Sequence, residues 1–312
     1  MATTTFEPRA TPRVALKAKS AERSELLGYA FIAPYFIVFV VFLLLPVLAA
    51  LWISLQKWDI IGTPTWVGIA NYQKALTDPQ FWQYTRNTLV FTVLAVPVQA
   101  ILGLAFALLV NNRRLKYMRD ITRLALFAPY VVMVTAMGTL WRWILDNNFG
   151  VLNFYLGLIH LGPVQWLSDP TFAMLSVVIG NTWWLIGYGM VIYLAALQDI
   201  PEELYEAAKM DGGGSWNLFR FITLPAIRPA TTFVIISSAV GALRVFGQPY
   251  MITSGGPHGT TQSIVMYIYL TGFQYFQMGY SSAISYLLFV ITLIFTVVQL
   301  RLFQIGSDKE AA

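Results

Sequence analysis

EAAKMDGGGSWNLFRFITLP, residues 206–225, is the stretch that decides how this chain of 312 residues is organised. Glu-Ala-Ala is followed by three residues and Gly212, then by nine residues and Ile222, and finally by Leu224 and Pro225. The stretch is polar, yet long apolar segments flank it on both sides. A patterned polar loop between apolar segments indicates a membrane protein that presents a defined surface outside the bilayer.

The composition supports a polytopic membrane protein. Hydrophobic residues make up 57% of the chain and charged residues only 11%, whereas a soluble domain carries about 25% charged residues. The absence of cysteine excludes disulfides and thiolate metal sites. His160 and His258 are far apart and lack acidic neighbours in sequence, so neither a metal site nor a catalytic site is expected.

Windows without charged residues predict the membrane spans, because a helix needs about 20 mostly apolar residues to cross the hydrocarbon core. The windows are 26–56, 87–112, 124–141, 170–198, about 229–252 and about 281–300. The sequence therefore predicts an all-α polytopic protein with six transmembrane helices. The first apolar run is too long for a signal peptide, and no small-residue cleavage site follows it.

The distribution of Lys and Arg predicts the orientation, because cytoplasmic loops carry an excess of these residues. Fifteen of them lie in the segments 1–25, 111–123, 198–229 and 301–312. On the other side, the 57–86 loop holds Lys57, Lys74 and Arg86, and the 146–169 and 253–280 loops hold none. Both termini and the 198–229 loop are therefore expected in the cytosol. The net charge of +5 comes from basic residues whose placement reflects the membrane topology, so a nucleic-acid partner is not expected.

The 198–229 loop is predicted to form two short helices. Pro201 with Glu202 and Glu203 is typical of a helix start, where proline is tolerated and the helix dipole favours acids. The Gly212-Gly213-Gly214 run predicts the helix end, since glycine accepts a positive φ there. Ser215 is expected to cap a second helix from Trp216 to about Ile222, which ends before Pro225.

The first of these helices has features of a docking element. Leu204, Ala207 and Ala208 share one narrow face with small side chains, which lets another protein approach closely. Glu203 and Glu206 can pair with basic groups on that protein. The alternative is an amphipathic helix that lies on the membrane without a partner. The five acids of residues 199–211 argue against it, because anionic headgroups would repel them.

The spacing of Glu206-Ala207-Ala208, Gly212, Ile222 and Leu224-Pro225 resembles the cytosolic loop of permease subunits of binding-protein-dependent ABC importers. The resemblance extends over roughly the last 220 residues, and the TSGGP run at 253–257 is similar to the carbohydrate branch, whose substrates are of the maltose, trehalose and glycerol-phosphate type. It implies a type I ABC importer permease fold in the cytoplasmic membrane of a prokaryote. The residues implied in docking to the ATPase are Glu203, Glu206, Ala207, Ala208, Gly212, Leu224 and Pro225.

The resemblance also implies partners. These are a second permease that completes a heterodimer, an ABC ATPase dimer that binds ATP and Mg, an extracytoplasmic solute-binding protein, and membrane lipid. The chain itself is then not an enzyme and needs no cofactor of its own. A Walker A loop places glycine before its lysine, and none of the seven lysines here follows a glycine.

These inferences divide the chain into five parts. A disordered cytosolic tail (1–25) precedes the first transmembrane helix (26–56) and an extracytoplasmic loop (57–86). A core permease domain (87–304) holds five helices and the coupling loop (198–229). A short cytosolic tail (305–312) follows.

Polar and aromatic residues within the spans are candidates for a substrate path, because polar groups there usually face the bundle interior or a water-filled cavity. The candidates are Tyr130, Asn181, Trp184, Tyr188, Ser238, Arg244 and Gln248. Ser237, Gly241, Arg244 and Gln248 recur with a helical period, which predicts one shared face on a continuous fifth helix. Packing is the alternative for Ser, Gly and Trp, and a structural or gating pair is the alternative for Arg244.

Other functions stay open at this point. A permease of the same family for glycerol phosphate or another polyol is compatible with Arg244. A stand-alone channel or secondary transporter often carries intramembrane acids, but the six windows contain no Asp or Glu. A membrane enzyme would have only Asp146 and Asp169 as a candidate pair. ATP-driven sugar import is the preferred interpretation.

Overall fold

The computed structural model describes residues 29, 31–111 and 119–308. The predicted tail at 1–25, residues 112–118 of the basic loop and residues 309–312 lie outside the described residues. The described chain is mostly helical, as predicted, and includes a two-stranded antiparallel hairpin.

The elements follow one another in this order. They are α1 (Phe31–Ser54), β1 (Gln56–Lys57), β2 (Thr65–Trp66), α2 (Ala70–Thr77), α3 (Pro79–Asn111), α4 (Arg119–Val131), α5 (Val134–Ile144), α6 (Val151–Leu158), α7 (Pro170–Gln198), α8 (Glu202–Met210), α9 (Ser215–Ala226), α10 (Arg228–Leu243), α11 (Gly247–Ile252), α12 (Ile264–Gln274) and α13 (Met278–Asp308).

The described residues up to Trp52, which include most of α1, form one unit, and those from Ile53 onward form a second compact unit. α1 contains a π-turn at Val40–Leu44, in which the Leu45 N–H donates to the Val40 carbonyl. This wider turn accommodates Pro46, because proline has no N–H and clashes with the carbonyl four residues earlier in a regular helix.

Two long parallel helices, α3 and α7, form the centre of the second unit. Phe91 and Val177, early in the two helices, belong to one buried cluster, and Ala107 and Leu194, late in the two helices, belong to another. α10 runs the opposite way between the same clusters. We call the end with the β1–β2 hairpin and the starts of α3 and α7 the hairpin end, and the opposite end, where α8 follows α7, the Glu206 end.

Within the described part of the chain, four helices, α1, α3, α7 and α13, are long and apolar enough to cross a membrane. The pair α4–α5 is bent by 100° and the pair α9–α10 by 63°, so the described residues provide up to six spans if each pair counts as one. The window at 124–141 is therefore not one straight helix. α4 ends soon after Pro129, and Met133 adopts an extended ψ of 139° before α5 begins.

The prediction of one continuous fifth helix is wrong. α10 ends at Leu243, Arg244 leaves the helix, and α11 begins only at Gly247. Ser263 stabilises the break, because its hydroxyl donates a 2.6 Å hydrogen bond to the freed Val245 carbonyl. Ser237 and Gly241 therefore do not share a helical face with Arg244 and Gln248.

The last helix is longer than its apolar window, since α13 extends from Met278 to Asp308. The 253–257 run lies at the hairpin end. Thr261 donates to the Gly256 carbonyl at 2.8 Å, and Asn87 near the start of α3 donates to the Gly259 carbonyl at 2.8 Å. The first bond holds the loop together, and the second attaches it to α3.

Candidate functional site

The turn between α8 and α9 is built from two glycines. Gly212 has a φ of +83°, which confirms the predicted left-handed helix end. The Gly213 N–H donates to the Ala208 carbonyl at 2.8 Å, and the Gly212 N–H donates to the Lys209 carbonyl at 3.0 Å. A Cβ at Gly213 would lie 2.7 Å from the Ala208 oxygen. Gly213 is therefore also required, although only Gly212 is distinguished by the sequence pattern.

The second helix differs from its prediction in two ways. Ser215 is the first residue of α9, and the cap position is occupied by Gly214, which has no side chain to cap the helix. α9 also continues through Pro225 to Ala226. A π-turn at Phe219–Thr223 precedes the proline, and the Leu224 N–H donates to the Phe219 carbonyl. As in α1, the wider turn removes the conflict that proline creates in a regular helix.

A short polar contact holds the two helices together. The Tyr205 and Thr223 hydroxyls are 2.9 Å apart, and Thr223 also donates to the Leu218 carbonyl at 3.3 Å. Thr223 is buried, whereas α8 has no buried residue. The pair is thus a small, defined unit, and the rest of the described chain leaves its first helix accessible.

The residues expected to dock are largely accessible. Glu203, Glu206, Ala207, Leu224 and Pro225 are exposed, Ala208 is half-buried, and the Cα of Gly212 faces open space. Large apolar side chains of the pair are exposed as well, with 89% of Met210 and 68% of Trp216 accessible. Exposed apolar groups among charged residues are typical of a surface that binds another protein.

The candidate path residues separate into three groups. The first is a buried amide pair that joins α7 to α11. Asn181 and Gln248 are 4% and 8% exposed, and the Gln248 Nε2 donates to the Asn181 Oδ1 at 3.0 Å. In this conformation each amide is thus a partner of the other, a contact that sequence spacing could not indicate.

The second group is an aromatic cluster between α4 and α7. The Tyr130 and Tyr188 rings stack with their centroids 5.6 Å apart, and the Trp184 ring lies 6.3 Å from Tyr130. The Trp184 Nε1 donates at 2.9 Å to the Val132 carbonyl, which the break after α4 leaves without a helical partner. The three rings expected from the sequence are therefore together.

The third group consists of buried polar atoms that lack a hydrogen-bond partner among the described residues. Ser238 Oγ belongs to it, and so do two groups that sequence analysis missed, Thr182 Oγ1 and Trp141 Nε1. Trp141 packs edge-on against Trp183 with centroids 5.9 Å apart. Leaving such groups unpaired costs about 1–3 kcal/mol each. Arg244, by contrast, is exposed at the end of α10.

The chain is similar to known proteins. Residues 81–304 match the family described as binding-protein-dependent transport system inner membrane component. The trehalose/maltose transport system permease protein MalF of Thermococcus litoralis is 37% identical, covering 94% of this chain and 99% of its own length. The lactose transport system permease protein LacF of Rhizobium radiobacter is 34% identical, covering 87% of this chain and 92% of its own length.

A solved structure agrees with these relatives. It is that of a bacterial ABC transporter involved in the import of the acidic polysaccharide alginate, and one of its chains matches with a TM-score of 0.79 and 25% identity. The match covers 92% of this chain and 97% of that chain. With the family match over 81–304 and the glycine turn between two exposed helices, these likenesses establish that the chain belongs to the inner membrane components of binding-protein-dependent transport systems, the permeases of ABC importers.

Proposed function

We propose that this chain is the transmembrane subunit of an ATP-driven sugar importer in the cytoplasmic membrane, coupled through α8 and α9 to a separate ATPase. The observation that carries the proposal is the α8–α9 pair itself. Its turn is closed by Gly212 and Gly213, and its first helix has no buried residue. The pair therefore has a fixed shape and an accessible surface. Such an element can bind a rigid surface of the ATPase and follow it as ATP is bound and hydrolysed.

The orientation follows from the basic loop at the same end of the molecule. The Glu206 end holds the base of α7 and the end of α3, next to the basic 111–123 loop, so it faces the cytosol. The hairpin end then faces outward, toward a solute-binding protein. One related structure is a bacterial alginate ABC transporter in complex with an alginate pentasaccharide-bound periplasmic protein. Both termini are cytosolic if α1 and the two bent pairs each cross once.

The names of the relatives support a sugar as substrate, since they include transport systems for trehalose, maltose and lactose. The path residues suit such a ligand. Tyr130, Trp184 and Tyr188 provide aromatic faces, while Ser238 and Thr182 provide hydroxyls without a partner among the described residues. The Asn181–Gln248 pair would exchange its mutual hydrogen bond for sugar hydroxyls as the path opens.

The test is uptake of labelled maltose or trehalose by proteoliposomes that contain this chain, a second permease, the ATPase dimer and the binding protein. ATP hydrolysis should rise with loaded binding protein, and Glu206→Lys should abolish uptake without changing sugar binding by the binding protein. Glu206→Gln keeps the shape of the side chain and should cause a smaller loss. Full uptake by this chain without the ATPase would refute the proposal.

A further inference from the structure

The hairpin end contains a cavity that the proposed path does not use. It has a volume of about 560 Å³ and lies between the β1–β2 hairpin, α2 and the start of α13. Its lining includes Lys57, Trp58, Asp59, Lys74, Tyr275 and Gln277. A neighbouring cavity of about 410 Å³ shares Lys74, Tyr275 and Gln277 and extends to Asp78. The volume lies within the range of small-molecule sites.

The floor of this cavity is fixed by backbone contacts. Asn71 Nδ2 donates to the carbonyls of Ser54 and Gln56, each at 2.8 Å. The Gly279 N–H donates to the Trp58 carbonyl at 3.3 Å. A Cβ at Gly279 would overlap the Gln56 oxygen, so only glycine allows α13 to come this close. The segment that carries Lys57 and Trp58 is thus tied to both α2 and α13.

The wall is fixed by side chains. Asp78 Oδ2 accepts hydrogen bonds from the hydroxyls of Tyr267 and Tyr280, both at 2.6 Å. The Lys74 ammonium lies 4.0 Å from the centroid of the Tyr280 ring and donates to Gln277 Oε1 at 3.2 Å. A lysine has three donor hydrogens, so Lys74 can bind a ligand while it keeps this bond.

We propose that this cavity is an acceptor subsite for a saccharide on the outer face of the permease, an inference that rests on the proposed sugar-import function. Trp58 and Tyr275 offer rings for the apolar faces of a sugar, and Lys74 and Gln277 offer polar groups for its hydroxyls. Of the three basic residues in 57–86, Lys57 and Lys74 both line this cavity. Asp59 also lines the cavity, so the two lysines leave a net positive charge there. A saccharide that carries a carboxylate is therefore bound more tightly than a neutral one.

The shape of the cavity favours a sugar over a protein partner. The cavity is concave, and its rings and lysines come from three elements that converge on one space. Because the cavity is at the hairpin end, a sugar released there has not yet entered the path between α7 and α11.

The test is binding of labelled maltose and of maltobionate, its carboxylate derivative, to the assembled permease–ATPase complex in nanodiscs without binding protein. Trp58→Ala and Tyr275→Ala should weaken binding of both probes about fivefold or more. Lys74→Gln should weaken maltobionate binding while maltose binding stays within about twofold. Trp66→Ala, on the same hairpin but outside the cavity lining, is the matched control and should leave both within about twofold.

Unchanged binding of both probes in Trp58→Ala and Tyr275→Ala would overturn the subsite, as would undetectable binding to the wild type. Weaker attachment of the binding protein to Trp58→Ala, equal with and without sugar, would instead identify a protein-docking surface and also overturn it. ATP-driven uptake at saturating loaded binding protein separates the two proposals. If uptake is normal while the probes do not bind, only the subsite fails; if the wild type takes up no sugar, the proposed function fails.

Discussion

At the scale of single residues, the three consecutive glycines of the α8–α9 turn have different physical roles. Gly212 needs a positive φ, which costs other residues about 1 kcal/mol or more. Gly213 has no space for a Cβ, because the Ala208 carbonyl lies against it. Gly214 has a φ of −74° and no neighbour within 4 Å of a Cβ, so it is not constrained in either way.

We therefore predict that Gly213→Ala strongly reduces sugar uptake, because the added methyl group opens the turn and misaligns α8 with α9. Gly214→Ala is the matched control and should transport like the wild type. The measurement is uptake by the reconstituted transporter, together with the amount of ATPase that copurifies with each variant. Equal uptake by both variants would show that the closed turn is not needed for coupling.

Asp78 gives a prediction about pH. Burial raises the pKa of its carboxyl, but the Tyr267 and Tyr280 hydroxyls, the Gln80 N–H and the Lys74 charge outweigh burial and lower the pKa below 3.8. A lowered pKa in the folded state means that the charged form stabilises the fold. This stabilisation is present above pH 3.8 and is lost as the pH falls through the lower folded value.

Asp78→Asn should therefore lower the thermal midpoint of the purified chain at neutral pH, and the difference from the wild type should shrink below pH 3.8. Thermal unfolding in detergent across this pH range provides the measurement. A difference that stays constant with pH would mean that the charge of Asp78 does not contribute.

At the scale of elements, the Asn181–Gln248 hydrogen bond connects α7 to α11 across the break after α10. Removing one amide leaves the other buried without a partner, which costs about 1–3 kcal/mol. Removing both avoids that penalty. We predict that Asn181→Leu and Gln248→Leu each destabilise the chain, and that the double variant is more stable than the sum of the single effects implies.

Thermal unfolding of the wild type, the two single variants and the double variant gives the coupling energy between the two amides. Uptake at limiting sugar concentration then separates packing from a role in the path. A folded double variant with normal uptake would assign the pair to packing alone, and additive single effects would mean that the two amides do not interact.

The elements also show what the sequence could and could not predict. Charge-free windows locate apolar segments, so they predicted the long helices α3 and α7. They carry no information on backbone breaks, so the gap at Arg244 was missed, and only Pro129 itself indicates a kink near the bend after α4. The break at Arg244 depends on Ser263, which is distant in sequence and donates to the Val245 carbonyl. The extension of α9 through Pro225 depends on a π-turn, which has no simple sequence signal.

At the scale of the whole molecule, the sequence predicted the α8–α9 turn but not the contacts of the candidate path or of the cavity at the hairpin end. The α8–α9 turn is local, so the offsets of Gly212 and its neighbours were enough to predict it. The contacts of Asn181 with Gln248, and of Lys74 with Gln277, join residues that are far apart in sequence. Such contacts follow from the packing of α2, α7, α11 and α13, which composition and spacing do not specify.

The central claim is that α8 and α9 form a cytosolic surface that the ATPase covers. The chain contains no cysteine, so Ala207→Cys introduces a single thiol on the exposed face of α8. His258→Cys places a thiol at an exposed position of the hairpin end and serves as the control. Both variants are compared in oriented membrane vesicles, with the ATPase bound and after it is stripped.

The most direct measurement is labelling of the Ala207→Cys variant with a membrane-impermeant maleimide. We predict labelling only in inside-out vesicles and only after the ATPase is removed, whereas His258→Cys is labelled only in right-side-out vesicles. Labelling of Ala207→Cys from the outside, or equal labelling with the ATPase bound, would contradict the assignment of this helix pair as the coupling element.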